Sequence, residues 1–221
     1  MIPLSEPDGF CLIPQVLDEH QCRALIERLG TVEGAGRRGL LGVPEVAGLA
    51  LSERLVDLVR PHLPAQPVPV RAIYFDKSPD ANWLVPWHQD LTLALRNRKE
   101  VPGFGPWSVK EGIPHVQPPV ELLEKMITVR FHLDAADDSN GALRVLPGSH
   151  QRGRWSAEQI GEWRECVPEV MCRAAAGDAL LMRPLLLHAS SRATRAGHRR
   201  VLHLEYAGFR LPEGLEWAEQ A

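Results

Sequence analysis

Residues 126–148 read MITVRFHLDAADDSNGALRVLPG and contain two short strand-like runs separated by a turn. Met126 to Leu133 is rich in β-branched and aromatic residues, and Ala142 to Leu146 is a second apolar run. Between them, Asp137-Asp138-Ser139-Asn140-Gly141 consists of residues that favour turns, and Pro147-Gly148 ends the second run. Short strands joined by turns are typical of an antiparallel sandwich or barrel, and not of alternating strands and helices.

Similar runs extend this pattern on both sides. Val70 to Asp76 is a further strand, and Ala179 to His188 is a nearly continuous apolar strand. Arg199 to Tyr206 is expected to pair with that strand across the loop Ser190 to His198. We therefore predict a mainly β core over residues 70–210.

The first third of the chain, residues 1–69, has a helical pattern. Asp18 is suited to cap a helix whose apolar residues recur at helical spacing until Gly30, and Leu51 to Val59 forms a second helix. Prolines at positions 61, 64, 67 and 69 then prevent any helix from continuing. We expect these helices to pack against one sheet of the core.

Length and composition predict one domain over residues 1–221. The chain has 221 residues, of which 44% are hydrophobic, and an all-β fold of this length commonly forms a single domain. Within it, residues 91–124 form a long segment that contains several Pro and Gly residues. An insertion of this length in a compact domain is usually a lid or a binding loop.

Charge and hydropathy exclude several classes of partner. The 25 Lys and Arg and 28 Asp and Glu give a formal net charge of -3, and no basic block suggests nucleic acid as a partner. No apolar run approaches the roughly 20 residues that span a bilayer, and the stretch Met1 to Asp8 lacks the features of a signal peptide. We therefore expect a cytoplasmic protein without a membrane partner, in which the four cysteines are free thiols. The oligomeric state cannot be predicted from the sequence.

The tetrapeptide Trp87-His88-Gln89-Asp90 indicates a metal site. Residues two apart in a strand project to the same face, so His88 and Asp90 can bind one ion. A third ligand could come from His188 at the end of its apolar strand. Two histidines and one carboxylate form the facial triad of non-haem iron(II) oxygenases, which leaves positions open for other ligands.

The open metal positions suit a 2-oxo acid, and binding of such an acid indicates the type of reaction. 2-Oxoglutarate chelates iron through its keto oxygen and the adjacent carboxylate, and its decarboxylation with dioxygen gives succinate and carbon dioxide. The remote carboxylate needs a buried cation, preferably a planar guanidinium. Arg199, eleven residues after His188, is the best candidate because a hairpin could place it beside the metal. Ser190 could donate its hydroxyl to the same carboxylate.

The sequence resembles the phytanoyl-CoA dioxygenase family of iron(II)- and 2-oxoglutarate-dependent oxygenases. The matching segments occur in the family's order between about Val70 and Tyr206. They are WHQD (residues 87–90), NGALRVLPGSH (140–150), GDALL (177–181), HAS (188–190) and Arg199. A set of ordered segments is much more specific than an isolated H-x-D.

The resemblance implies a double-stranded β-helix, also called a jelly roll or cupin-like fold, with flanking N-terminal helices. It implies that His88, Asp90 and His188 bind iron and that Arg199, Ser190 and Gln89 contact 2-oxoglutarate. Relatives often have a polar 2-oxoglutarate contact at the place of Arg71. Related halogenases have a small residue where this chain has Asp90, so the resemblance favours hydroxylation of a small organic molecule over halogenation. The sequence does not decide whether Arg130 faces the cavity.

Two other readings use the same scaffold without oxygenase chemistry. One is a metal-binding jelly-roll protein with a structural or sensing role, and the other is a metal-dependent hydrolase or isomerase. Neither requires a buried arginine to bind a 2-oxo acid, and so Arg199 favours the oxygenase. The segment 91–124 is expected to set specificity, but its composition does not identify a substrate.

Overall fold

The computed structural model describes residues 7–221. Residues 1–6, most of the stretch read above for a signal peptide, lie outside this range. Among the described residues, no helix has both the length and the apolar character needed to cross a bilayer. The chain forms three antiparallel sheets and five α-helices within the described range.

Thirteen strands are observed, numbered in chain order. They are β1 (Phe10–Ile13), β2 (Gly36–Arg37), β3 (Val68–Lys77), β4 (Val85–His88), β5 (Leu93–Ala94), β6 (Trp107–Lys110), β7 (Ile113–Val116), β8 (Met126–His132), β9 (Leu143–Val145), β10 (Val170–Cys172), β11 (Ala179–Met182), β12 (His188–Ser190) and β13 (Arg199–Ala207). The larger sheet has the order β1-β11-β8-β13-β3-β2, and a four-stranded sheet has the order β10-β9-β12-β4. This architecture confirms the predicted double-stranded β-helix.

The helices are α1 (Glu19–Leu29), α2 (Pro44–Leu51), α3 (Glu53–Val59), α4 (Val120–Leu123) and α5 (Ala157–Cys166). Helix α1 begins with a capping box, in which Asp18 and Gln21 each bond the other's backbone N–H. The helix predicted over Leu51 to Val59 begins instead at Glu53, because Ser52 ends α2 and its hydroxyl caps α3. Helices α2 and α5 were not predicted.

The N-terminal helices cover the outer face of the six-stranded sheet, as expected. Side chains of α1 to α3 share one apolar core with alternate residues of the sheet, including Leu202, Leu204 and Tyr206 of β13. The Tyr206 hydroxyl donates a 2.9 Å hydrogen bond to the carbonyl oxygen of Ala50 in α2. The other residues of β13, among them Arg199 and His203, therefore face the interior between the two main sheets.

Two predictions about the later strands were wrong. The predicted strand Ala179 to His188 is two strands, β11 and β12, because the chain turns after Met182 and passes from the larger sheet to the smaller one. Arg199 to Tyr206 does not form a hairpin with it. Strand β13 pairs with β3 and β8, whereas β12 pairs with β4 and β9. A continuous apolar run does not reveal where a chain changes sheets, since both halves are buried.

The segment 91–124 is structured. It contains a three-stranded sheet in the order β5-β7-β6, followed by α4, where a loop was predicted. This sheet packs on a second apolar cluster that includes Leu93, Val116 and Trp217. The hairpin of β6 and β7 brings Lys110 to the interior cavity described below, and it brings His115 into contact with Arg71, which lines that cavity.

Candidate metal centre

Strands β4 and β12 lie side by side in the smaller sheet and bring three possible ligands together. His88 and His188 are direct partners in the strand register, and Asp90 follows β4 with its backbone N–H bonded to the Pro184 carbonyl. The Nε2 atom of His88 lies 3.9 Å from Oδ1 of Asp90, and that of His188 lies 3.7 Å from Oδ2. One donor atom from each residue fits within 4.8 Å of the others, a spacing suited to one metal ion.

Backbone carbonyls orient both imidazoles. The Nδ1 atom of His188 lies 2.8 Å from the Leu186 carbonyl oxygen, and that of His88 lies 2.9 Å from the Pro86 carbonyl oxygen. Because a carbonyl only accepts, each Nδ1 carries the proton and each Nε2 keeps its lone pair. This hydrogen bonding of the far ring nitrogen is the usual support of a metal-binding histidine.

The protonation states also suit a metal. Burial lowers the pKa of His188 to about 4, so its imidazole is neutral at neutral pH. Burial alone would raise the pKa of Asp90, but the imidazole of His188, the other nearby histidines and the Arg130 guanidinium lower it to about 2. A neutral imidazole beside an ionised carboxylate is the state in which these groups bind a cation.

A cavity of about 320 Å³ adjoins the three residues and contains the guanidinium of Arg199. Arg199 is only 3% exposed, and its Nε and Nη1 atoms have no hydrogen-bond partner among the described residues. The next residue, Arg200, points to the other face and makes a two-pronged ion pair with Asp134 at 2.7 Å. Arg199 therefore reaches the cavity from the sheet opposite the histidines, and not through the predicted hairpin.

Ser190 lines the cavity, but its hydroxyl is already engaged. It donates a 2.7 Å hydrogen bond to the Gly141 carbonyl oxygen and accepts one of 2.9 Å from Nζ of Lys77. In this arrangement its one hydrogen is used within the protein, and the expected contact of Ser190 with a ligand carboxylate stays a prediction. Gly141 makes this contact possible, since a Cβ there would lie 2.3 Å from the Ser191 carbonyl oxygen.

Gln89 is held by the backbone on all sides. Its Nε2 atom donates to the carbonyl oxygens of Gly153, at 2.8 Å, and Leu185, at 2.7 Å. Its Oε1 atom accepts from the backbone N–H of Trp155 at 2.9 Å. Its amide thus connects β4 to the segments that contain Gly153, Trp155 and Leu185, and the expected contact with 2-oxoglutarate stays a prediction.

Arg71 is likewise occupied. Its guanidinium forms an ion pair with Glu205 at 3.1 Å and lies 3.2 Å from Nε2 of His115. Glu205 in turn lies 3.3 Å from Nε2 of His203, whose Nδ1 accepts from Arg130 at 2.9 Å. Arg71 lines the cavity as part of this buried chain of hydrogen bonds, and its expected contact with 2-oxoglutarate stays a prediction.

Several cavity residues were not identified from the sequence. His203 and Glu205 are at alternate positions from Arg199 on β13, so the period-two rule could have identified them. Arg130 faces the cavity, which the sequence had left open. Lys110 could not have been identified in this way, because no local signal indicates that the inserted hairpin folds over this cavity.

The sequence matches the family model of phytanoyl-CoA dioxygenase (PhyH) over residues 35–201. This range includes the three possible metal ligands and Arg199. No protein of curated function matches the chain at a significant level.

Solved structures share the fold at low sequence identity. The structure of AviO1 from Streptomyces viridochromogenes Tue57 is 23% identical, with a TM-score of 0.66 over 93% of this chain and 92% of that one. HygX from Streptomyces hygroscopicus with nickel and 2-oxoglutarate bound is 20% identical, with a TM-score of 0.66 over 94% and 86% of the two chains. SnoN, a non-haem α-ketoglutarate-dependent epimerase from nogalamycin biosynthesis, is 17% identical, with a TM-score of 0.64 over 91% and 77%.

Proposed function

The chain belongs to the phytanoyl-CoA dioxygenase family, and on this premise we propose that it hydroxylates a small organic molecule with release of succinate and carbon dioxide. Enzymes of this family depend on iron(II), 2-oxoglutarate and dioxygen. The coarse activity, that of an iron(II)- and 2-oxoglutarate-dependent oxygenase, follows from family membership. Hydroxylation, the nature of the substrate and the residue roles are our proposals.

One observation carries the proposal: a buried guanidinium, which has no hydrogen-bond partner in the described part of the chain, shares a cavity with two histidines and one carboxylate. Buried polar groups in native proteins almost always have hydrogen-bond partners. The unpartnered nitrogens of Arg199 are therefore best explained by a ligand, and a carboxylate matches the planar guanidinium.

We propose that His88, Asp90 and His188 bind the metal. The donor set of two imidazole nitrogens and one carboxylate oxygen fits iron(II), and bound iron with 2-oxoglutarate would supply the oxidising chemistry. The protein's own contribution is to hold the ligands in the correct tautomer, to bind the remote carboxylate of 2-oxoglutarate at Arg199 and to exclude water from the cavity. In this proposal the ionised carboxylate of Asp90 is the third metal ligand.

The competing readings leave Arg199 unexplained. A metal-binding protein without activity, or a hydrolase on this scaffold, has no need for a buried cation facing the metal residues. SnoN is an α-ketoglutarate-dependent epimerase, so a likeness in fold does not determine which reaction is catalysed. We favour hydroxylation over halogenation because Asp90 occupies the place of the small residue in related halogenases.

We also propose that residues 1–221 act as one oxygenase domain. Residues from both the helical first third and the β core line the same cavity, from Arg38 to Glu205. Because both parts of the chain line this cavity, they would act together as one domain.

Anaerobic spectroscopy followed by oxygenation tests the proposal. Purified protein mixed with iron(II) and 2-oxoglutarate is expected to show a visible metal-to-ligand charge-transfer band and, once oxygen is added, to release succinate. Screening candidate metabolites for faster succinate release then identifies substrates, and mass spectrometry under ¹⁸O₂ detects one labelled oxygen in a hydroxylated product. Absence of both the band and succinate would contradict the oxygenase proposal, and an unlabelled isomer would contradict hydroxylation.

A further inference from the structure

The cavity beside the metal residues contains more cations than anions. Five basic side chains line it: Arg38, Arg71, Lys110, Arg130 and Arg199. Two of them have carboxylate partners, since Arg71 pairs with Glu205 and Arg38 pairs with Glu111. Within residues 7–221, no carboxylate lies within ion-pair distance of the other three.

Arg130 is a buried cation whose only polar partner within the described range is the neutral imidazole of His203. It is 7% exposed, and its Nη1 atom donates to Nδ1 of His203 at 2.9 Å. His203 must accept at Nδ1, so its proton lies on Nε2, toward Glu205. The Nε atom of Arg130 has no partner among the described residues. The positive charge of Arg130 is therefore not balanced by a direct ion pair.

Lys110 lies at the accessible side of the cavity, at the end of β6. Its ammonium makes no hydrogen bond or ion pair in the described part of the chain, and it is exposed to solvent. Partial burial and the charges of Arg71 and Arg38 lower its pKa. The next residue, Glu111, pairs with Arg38 and so fixes the hairpin beside the cavity. Lys110 is thus an exposed cation at the cavity with no polar partner among the described residues.

Binding of iron(II) and 2-oxoglutarate would not remove this excess of positive charge. The charges of iron(II) and Arg199 are matched by those of Asp90 and the two carboxylates of 2-oxoglutarate. Arg71 and Arg38 already have their partners. Arg130 and Lys110 then remain, and a cation in a partly desolvated cavity is stabilised by an opposite charge.

We propose that the primary substrate is an organic anion, with a carboxylate or a phosphate monoester that binds Lys110 at the accessible side of the cavity. This inference rests on the proposed oxygenase function and narrows it to a substrate class. The remainder of such a substrate would extend toward the metal residues, past the apolar side chains of Phe75 and Leu91 that line the same cavity.

A paired panel of compounds tests the charge requirement. Protein loaded with iron(II) and saturating 2-oxoglutarate is mixed with metabolite-sized carboxylates and phosphate monoesters, each matched with its neutral amide or alcohol, such as N-acetylleucine with N-acetylleucinamide and glycerol 3-phosphate with glycerol. Faster succinate release, or a shift of the charge-transfer band, with the anionic member of a pair supports the proposal. The carboxylate and phosphate halves of the panel distinguish the two kinds of anion. An equal or stronger response to neutral members, or no response to any anion, overturns it.

Variants of Lys110 give a second readout. Lys110→Met is expected to raise the half-saturating concentration of the responding anion by roughly ten-fold, the lower end of the effect of a hydrogen bond to a charged group. Lys110→Arg should recover most of the affinity. Lys125→Met, which removes an exposed lysine outside the cavity, serves as the matched control. If Lys110→Met and the control behave alike, the proposed anion site is wrong.

The charge-transfer band separates this inference from the proposed function. If the band forms with iron(II) and 2-oxoglutarate but no anion responds, the oxygenase stands and the substrate class is wrong. If the band does not form at all, the proposed function fails, and the substrate class fails with it.

Discussion

The ammonium of Lys77 donates a 2.9 Å hydrogen bond to the hydroxyl of Ser190 and so joins the two main sheets beside the candidate metal centre. Lys77 is 1% exposed, and its register partner on β13 is Arg199. Two basic side chains thus lie next to each other at the inner end of the cavity. Only Arg199 lines the cavity itself, because Lys77 is held behind Ser190.

Stability should depend on pH through Lys77. Burial, with the charges of Arg199 and Arg192, lowers its pKa from 10.5 to about 7. The unfolded chain therefore binds more protons between these two values, and the free energy of unfolding should rise as pH increases from about 7 toward 10. Below pH 7 the lysine is charged in both the folded and the unfolded state, so the full cost of burying its charge lowers the free energy of unfolding.

Comparison of the wild type with Lys77→Met measures this contribution. Chemical denaturation of the metal-free protein at pH 7, 8 and 9 is expected to show a smaller rise in the free energy of unfolding for the variant than for the wild type. Parallel pH dependences in the two proteins would contradict the assignment to Lys77.

Arg199→Met should weaken 2-oxoglutarate binding by roughly ten- to a hundred-fold, because hydrogen bonds to a charged group are lost. Iron affinity should stay close to that of the wild type, since Arg199 is not among the residues that could bind the metal. Titration of the charge-transfer band with 2-oxoglutarate measures the change. Arg200→Met is the matched control, because Arg200 is paired with Asp134 on the opposite face. If Arg200→Met weakened 2-oxoglutarate binding as much as Arg199→Met, the assignment of the 2-oxoglutarate carboxylate to the cavity face of β13 would be wrong.

Asp90→Ala and His188→Ala should each abolish tight metal binding. The loss should exceed the roughly 10–100-fold effect that follows removal of a residue which only supports a ligand. Metal content after dialysis against a defined iron(II) concentration gives the measurement. His20→Ala, which removes an exposed histidine from α1, should retain the metal. Retention of iron by the two site variants would exclude these residues as ligands.

Gln89→Leu should lower the free energy of unfolding by about 1–3 kcal/mol, because it leaves three buried or partly buried backbone groups without their partners. Those groups are the carbonyls of Gly153 and Leu185 and the N–H of Trp155. Urea denaturation of the metal-free protein measures the change. A variant of unchanged stability with greatly weakened 2-oxoglutarate binding would instead support Gln89 as a ligand contact.

The sequence determined the fold class and the residues of the candidate metal centre because those signals are local or occur in a fixed order. Turn residues between β-branched runs predicted the antiparallel architecture, and His88 and Asp90 share one strand face by the two-residue period. His188 and Arg199 follow from the ordered segments that resemble the family. Only part of the cavity could be found in this way.

Tertiary structure decided which polar groups in the cavity remain available for a ligand. Gln89, Ser190 and Arg71 were expected to contact 2-oxoglutarate, but backbone groups, Lys77 and Glu205 already occupy their hydrogen bonds. A side chain's partners are distant in sequence, so no local pattern shows whether its donors are used. The same reason explains Lys110, which reaches the cavity only because an inserted hairpin folds over it, and Arg199, which faces the histidines from the opposite sheet.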